Sequence, residues 1–273
     1  MDLNSHPLVS VLMTAYNREN YIGEAIESVL ASTYQNFELI IVDDGSKDNT
    51  VSIAKKYAST DDRITLHINE KNLGDYLNRN KAASFAKGIY IKYLDSDDIM
   101  YPHCLQVMVH AMEKFPDAGL GLSAMADPYK PYPVLLSSKE AYHQYFTGDS
   151  HFDRAPGSAI IRRAAFEKVG CFSGERMIGD YDLWLRLARE FPVVKFVPDL
   201  YWSRIHEGQE FQSPYAQEQY ATLRKMVTER AFSHPDCPLS MDEKIDIIQR
   251  TKKEKQKLFL KNIISSGLKK FSS

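Results

Sequence analysis

Strand-like and helix-like patterns alternate through roughly the first hundred residues, and this constrains the possible folds more than any other feature of the chain. Val9 to Ala15, Phe37 to Val42, Ile64 to Ile68 and Ile89 to Leu94 are apolar, β-rich runs. Between them, Tyr21 to Leu30 sets Ile22, Ala25, Ile26, Val29 and Leu30 on one helical face. Asp48 is placed to cap a helix reaching about Tyr57, and Asp75 to Phe85 reads as a third helix. Strands alternating with helices predict a mostly parallel α/β sheet with helices on both faces. Short apolar strands suit burial on both sides. Sheets of this kind bind ligands at the carboxyl ends of their strands.

Those ends are polar here. The first strand closes on Thr14, Tyr16 and Asn17, the second on Asp43-Asp44-Gly45-Ser46, and the fourth on Asp95-Ser96-Asp97-Asp98. Gly45 permits a tight turn. Asp95, Asp97 and Asp98 crowd one strand end, where like charges repel and a bound cation offers relief. Carboxylates alone suit a hard ion, Mn²⁺ or Mg²⁺. The alternative for this cluster is a solvated acidic turn. Asn72, Gly74, Arg79 and Asn80 follow the third strand, and Arg79 can offer a planar charged fork to a diphosphate. Asp44 can accept a hydrogen bond from a base or ribose. Acid for metal, base for phosphate and a polar rim for a nucleoside together make a diphosphate-nucleoside site.

Beyond Pro102 the alternation weakens. His103 to Lys114 reads as a helix, Gly119 to Met125 as an apolar stretch, and Asp127 to Pro133 as a loop. Ser137 to Phe146 and Asp180 to Arg189 read as helices; Ser158 to Ile161, Val193 to Val197 and Leu200 to Ile205 read as strands. From Tyr215 onward the pattern is helical. The expected organisation is one α/β domain over 1–212, with halves of about 1–101 and about 102–212, and a helical C-terminal extension over 213–273.

A formal net charge of -2 argues against a general nucleic-acid binder. The three cysteines, Cys104, Cys171 and Cys237, show no metal-ligand spacing and read as reduced thiols. No secretion signal and no apolar run of the ~20 residues needed to span a bilayer are evident, so a cytoplasmic location is expected. From Arg250 to Ser273 there are eight Lys or Arg and one acid, Glu254. Leu260, Ile263, Ile264, Leu268 and Phe271 recur there at helical spacing. Such a tail can lie on an anionic membrane surface, peripheral on its inner face, or pack on the domain with its lysines in water.

Taken in order, these pieces resemble the family 2 glycosyltransferases, which have the GT-A fold. The matching residues are Thr14 to Asn17, Asp43-Asp44-Gly45-Ser46, Asn72-Leu73-Gly74 with Arg79-Asn80, Ala86-Lys87-Gly88 before Asp95-Ser96-Asp97-Asp98, Gly179-Asp180-Tyr181-Asp182, and Arg204-Ile205-His206. The resemblance covers about Pro7 to Glu210 and implies an inverting enzyme. Such an enzyme moves a sugar from a nucleotide-diphosphate sugar, commonly a UDP-sugar, to the hydroxyl of a saccharide or lipid-linked saccharide. It further implies that Asp44, with Asp43 beside it, meets the nucleobase. Asp95 and Asp97, flanking Ser96, would meet ribose, metal and diphosphate, and Asp98 would share the metal.

Asp180 matches the family's catalytic base. The family's usual Glu-Asp pair is here Gly179-Asp180, which leaves Asp182 as a rival. Asp180 can also be read as a helix N-cap. His206 is either a metal ligand or a packed histidine. Trp184 reads as core, and Trp202 as either a sugar platform or core. Members of this family that build surface polysaccharides are similar in size. Two competing readings are a nucleotidyltransferase, whose Gly-rich phosphate loop is missing from Thr14 to Tyr21, and a non-catalytic nucleotide-sugar binding module.

Overall fold

The structure, a computed structural model, describes residues 6–125, 130–207, 209 and 213–250. The first half follows the expected alternation. β1 (Val9–Ala15), α1 (Ile22–Leu30), β2 (Phe37–Asp43), α2 (Thr50–Ala58), β3 (Ile64–Ile68), α3 (Asp75–Ser84) and β4 (Tyr90–Tyr93) lie within a residue or two of the sequence reading. Ile22, Ala25, Ile26 and Val29 of α1 are all buried. Asn49, not Asp48, holds the N-cap position of α2; Asp48, one residue earlier, accepts the backbone N–H of Thr50 at 3.0 Å.

The second half contains β5 (Ile99–Met100), α4 (Cys104–Glu113), β6 (Leu120–Ser123), β7 (Val134–Leu136) and α5 (Ser138–Thr147). These are followed by β8 (Ala159–Arg162), α6 (Arg163–Lys168), α7 (Gly179–Glu190), β9 (Val193–Phe196), β10 (Tyr201–Trp202) and α8 (Pro214–Ser233). Residues 241–250 are helical. β5, β7 and α6 were absent from the sequence reading. Two or three strand residues, or six helical ones, are too few to display a period. The expected strand Leu200 to Ile205 shrinks to two residues because the Arg204 N–H turns away to the Asp98 carboxylate, at 3.0 Å. α7 begins one residue early, so Asp180 sits in its first turn and Ile178 holds the N-cap position. The basic tail falls on residues 251–273, outside the described residues.

One sheet crosses both halves, in the order β3-β2-β1-β4-β8-β6-β9-β7. β3, β2, β1 and β4 are mutually parallel, as is the pair β6 and β9. β8 runs antiparallel between β4 and β6, and β7 antiparallel on β9. Chain order reverses at β1, which puts a ligand crevice outside the carboxyl ends of β1 and β4. Side chains alternate across the sheet: Val9, Val11 and Met13 enter the core beneath α1 and α4, while Leu12, Ile40 and Val42 enter the core that holds Trp184 of α7. The second core also takes Val227, Ala231, Leu239 and Ile247 from α8 and beyond, which fastens the C-terminal helices to α7.

A small antiparallel ribbon matters most for the site. β5 pairs with β10, Met100 opposite Tyr201 and Ile99 opposite Trp202. It carries the segment after Trp202 back over the strand-end acids. Among the described residues, no helix is long and apolar enough to cross a membrane.

Candidate active site

Three loops and one ribbon converge at the crevice. Asp43 ends β2, and its Oδ1 accepts the N–H groups of Gly45 at 3.0 Å and Ser46 at 2.9 Å; the Ser46 hydroxyl donates to Oδ2. Gly45 has φ +83°, a conformation a side chain would strain. Asp43 is 1% exposed and its carboxylate is occupied by its own turn. Asp44 reaches across instead. Its Oδ1 accepts Asn69 Nδ2 at 2.7 Å and Leu73 N at 2.9 Å, and its Oδ2 accepts Gly74 N at 3.0 Å. The acidic pair therefore shapes two loops before it meets any ligand. Asn72 adds a bond from Gly74 N to its own Oδ1, at 3.0 Å.

The end of β1 joins this frame. Asn17, at φ +53°, donates its N–H to the Ser46 hydroxyl and accepts Lys47 N at 2.9 Å. Thr14 is half-buried and Tyr16 exposed at the rim. Arg18 turns inward: its Nε donates to Asp97 Oδ2 at 3.0 Å.

Arg79 is the electrostatic centre of the crevice. Its side chain is 7% exposed, Nε donates to Asp75 at 2.8 Å and Nη2 to Asp95 at 2.6 Å. Its Nη1 is buried and has no hydrogen-bond partner among the described residues. Burial opposes its charge, but Asp75 and Asp95 outweigh burial and hold the guanidinium firmly protonated.

Asp95, Asp97 and Asp98 offer carboxylate oxygens that all lie within 4.8 Å of one another. Ser96, between them, is buried. Burial, then repulsion from Asp95 and Asp97, pushes Asp98 up to about 7, against the pull of the Arg204 N–H. The His206 Nε2 lies 2.9 Å from Asp97 Oδ2, and its ring stands 4.7 Å from that of Tyr21. The Arg204 Nε donates to the Asp97 carbonyl at 3.0 Å, and its Nη2 to Glu24 at 2.6 Å. Trp202 is 45% exposed, with the Arg204 guanidinium 4.8 Å over its ring, so it belongs to the rim and not to the core. Trp184 is fully buried, as the sequence suggested.

Asp180 and Asp182 part company. Asp180 lies in the field of Arg79 and Asp75, and burial pushes its carboxyl up to about 6 while the Tyr181 N–H and Arg79 draw it back. Asp182 is 3% exposed and points elsewhere. Its Oδ2 accepts Arg186 Nε at 2.8 Å, and its Oδ1 stands 3.6 Å from Arg230. Residues two apart on a helix face different directions, and here only one faces the crevice.

The sequence reading passed over several participants. Arg18 carried a signal, as a basic residue directly after a polar strand end. Lys92 carried a stronger one, since a lysine within a buried strand demands an explanation. It is fully buried, and its ammonium donates to the carbonyls of Tyr93, at 2.8 Å, and Gly157, tying β4 to the turn before β8. Asn69 and Asn78 gave no signal; they bond each other at 2.8 Å beneath Asp44.

The family whose description reads Glycosyl transferase family 2 matches residues 10–170. RT0329 of Rickettsia typhi, described as an uncharacterized glycosyltransferase, is 30% identical over 227 residues, covering 80% of this chain and 70% of that one. Among solved structures, S. aureus TarS 1–349 in complex with UDP-GlcNAc aligns with a TM-score of 0.70 at 20% identity, over 88% of this chain and 70% of that one. The mannosyltransferase PcManGT from Pyrobaculum calidifontis, in complex with GDP-Man and Mn²⁺, aligns with a TM-score of 0.65 at 17% identity, over 83% and 65%. Both share the arrangement of a mostly parallel sheet between helices, the GT-A fold. The order of motifs along the sheet and the match over more than half the chain lead to one conclusion: this protein belongs to glycosyl transferase family 2.

Proposed function

We propose that this glycosyltransferase transfers a sugar from a nucleotide-diphosphate sugar to an acceptor hydroxyl with inversion, in the synthesis of a surface polysaccharide. The observation that carries this reading is the shared field of Arg79. The same guanidinium that bonds Asp95 at 2.6 Å also acts on Asp180, joining a diphosphate-type site to a carboxylate of raised proton affinity.

The donor set fits a hard divalent cation. All three ligands are carboxylates, their oxygens are grouped within 4.8 Å, and Asp95 keeps 31% of its side chain open. Asp95, Asp97 and Asp98 would hold Mn²⁺ or Mg²⁺, with His206 alongside through Asp97, and the ion when bound supplies positive charge to the departing diphosphate. Arg79 contributes its own charge there, with its Nη2 2.6 Å from Asp95. Asp44 and Asn72 hold the loop over which a nucleoside would lie. Asp180 takes the acceptor hydroxyl proton as attack proceeds at the anomeric carbon. One base and one assisted leaving group give inversion. The TarS and PcManGT complexes carry UDP-GlcNAc and GDP-Man, and a UDP-sugar is the donor proposed here.

Donor hydrolysis with and without Mn²⁺, across a panel of nucleotide-sugars, tests the reading. Metal-dependent release of free sugar with nucleoside diphosphate supports it. Pyrophosphate release would indicate a nucleotidyltransferase, and binding without turnover a binding module. The basic tail from Arg250 is proposed to hold the enzyme at an anionic membrane, near a lipid-linked acceptor, at about 1 kcal/mol per Lys close to the surface. Flotation with anionic and neutral vesicles checks this, against a chain truncated after Gln249.

A further inference from the structure

The last described helix, residues 241–250, is fastened to the body along one side. Ser240 caps it: its hydroxyl accepts the Glu243 N–H at 3.3 Å, and the Glu243 carboxylate accepts the Ser240 N–H at 2.8 Å. Leu239 and Ile247 are buried in the core that holds Trp184, and the Lys244 ammonium donates to the Phe232 carbonyl at 2.7 Å. These contacts fix which side of the helix looks outward.

The outward side is apolar where contact with water alone would favour polar residues. Met241, Ile245 and Ile248 are 69%, 46% and 45% exposed. Their spacing, four residues and then three, places them in one stripe. Single exposed apolar residues are ordinary, but a contiguous stripe on a helix already anchored by its other side marks a contact surface.

Charge selects the occupant. Glu243 and Asp246 are neutralised by Lys139 at 3.1 Å and Arg250 at 2.8 Å. Continued along the sequence, the same spacing reaches Lys252, Lys255 and Phe259, within the segment of eight Lys or Arg against one acid. A second copy of the chain on this stripe would set those lysines against their equals. The chain's own continuation, Thr251 to Lys257, contains neither Gly nor Pro to turn it back. An anionic lipid surface suits both features: aliphatic side chains enter the boundary between headgroups and acyl chains, and lysine stems lie beside them with their ammonium groups at the phosphates.

We propose that Met241, Ile245 and Ile248 insert into the interface of an anionic bilayer, a hydrophobic contact made by the folded body and not by the tail alone. The proposal rests on the proposed docking of the tail only for the sign of the surface. Because the helix is tied to α8 through Phe232 and to α5 through Lys139, the stripe would hold the enzyme in one orientation on that surface.

Flotation of the full chain with vesicles of phosphatidylcholine, alone or mixed equally with phosphatidylglycerol, tests it at low salt and at about 0.5 M salt, where attraction of the lysines is screened within about 4 Å. The Ile245→Gln, Ile248→Gln double variant should partition onto the mixed vesicles about tenfold or more weakly than the wild type at both salt concentrations. Both positions are exposed, so the fold should persist, which circular dichroism checks. An Ile248→Trp protein gives a direct reading: its emission, after subtraction of the wild-type spectrum of Trp184 and Trp202, should move to the blue on the mixed vesicles. Equal partitioning of the double variant and the wild type overturns the proposal, as does an unmoved Ile248→Trp emission in the floated protein. A dimer seen in sedimentation and abolished by the double variant would give the stripe to a second copy and also overturn it. Wild-type binding that ignores vesicle charge overturns the docking of the tail, while the double variant still decides the stripe; no binding to either vesicle overturns both.

Discussion

Gly179 and Tyr76 contend for one space. A Cβ at position 179 would stand 2.8 Å from Cδ2 and Cε2 of the Tyr76 ring and 2.9 Å from its Cγ. Tyr76 is 8% exposed and packs on Phe172 at a ring distance of 5.0 Å. A side chain such as Glu has no room at position 179 unless Tyr76 moves, because an aromatic ring fills its place.

This pairing is open to a double-mutant cycle. Gly179→Glu alone should cost about 2 kcal/mol of stability through overpacking, and most of the activity with it. Adding Tyr76→Ser should recover the larger part of that loss, giving a coupling of about 1 kcal/mol or more. Chemical denaturation of the four proteins measures it; strictly additive effects would show that the two residues do not share the space.

Asp180→Asn should lower turnover by roughly 10²-fold or more while donor binding persists. Asp182→Asn should behave in the opposite way. It leaves Arg186 in a half-broken buried ion pair, a loss of about 3 kcal/mol in stability, with turnover per folded molecule near that of the wild type. Steady-state kinetics and denaturation of both variants separate the roles. An inactive, stable Asp182→Asn beside an active Asp180→Asn would reverse them.

A carboxyl pushed up to about 6 must lose its proton before it can act as a base. The rate at subsaturating substrate should therefore climb as pH rises through about 6, and Asp180→Asn should lack that limb. Stability runs the other way. Because the folded value lies above the ordinary 3.8, the carboxyl favours the fold at low pH and that contribution fades as pH rises through about 6. Asp180→Asn should accordingly raise the Tm at pH 8 and change it little at pH 4. A pH-independent Tm difference would mean that the shift is absent.

Arg79→Lys removes the fork but keeps the charge. A single ammonium cannot serve Asp75, Asp95 and a diphosphate from one point, so donor affinity should fall by about tenfold or more. Calorimetry with a nucleoside diphosphate and Mn²⁺ measures this, and an unchanged affinity would remove Arg79 from the donor site.

Much of this protein was legible in one dimension. The first four strands, the helices between them and the polar character of the strand ends all follow from local pattern, because a short continuous apolar run records a strand buried on both faces and period 3.6 records which side of a helix is buried. The ordered motifs named the carboxylates at 95, 97 and 98 and the pair at 180 and 182. Tertiary structure decided the rest. The antiparallel insertion of β8 between β4 and β6 brings the Gly157 carbonyl to Lys92, a contact without a local pattern. The division of labour between Asp180 and Asp182 depends on what stands opposite each: Arg79 for one, Arg186 and Arg230 for the other. Arg204 and His206 reach Asp98 and Asp97 only because β5 and β10 pair, more than a hundred positions apart in the chain. Sequence periodicity carries burial, which each residue expresses alone; charge pairing belongs to two residues at once, and only the folded chain brings them within reach.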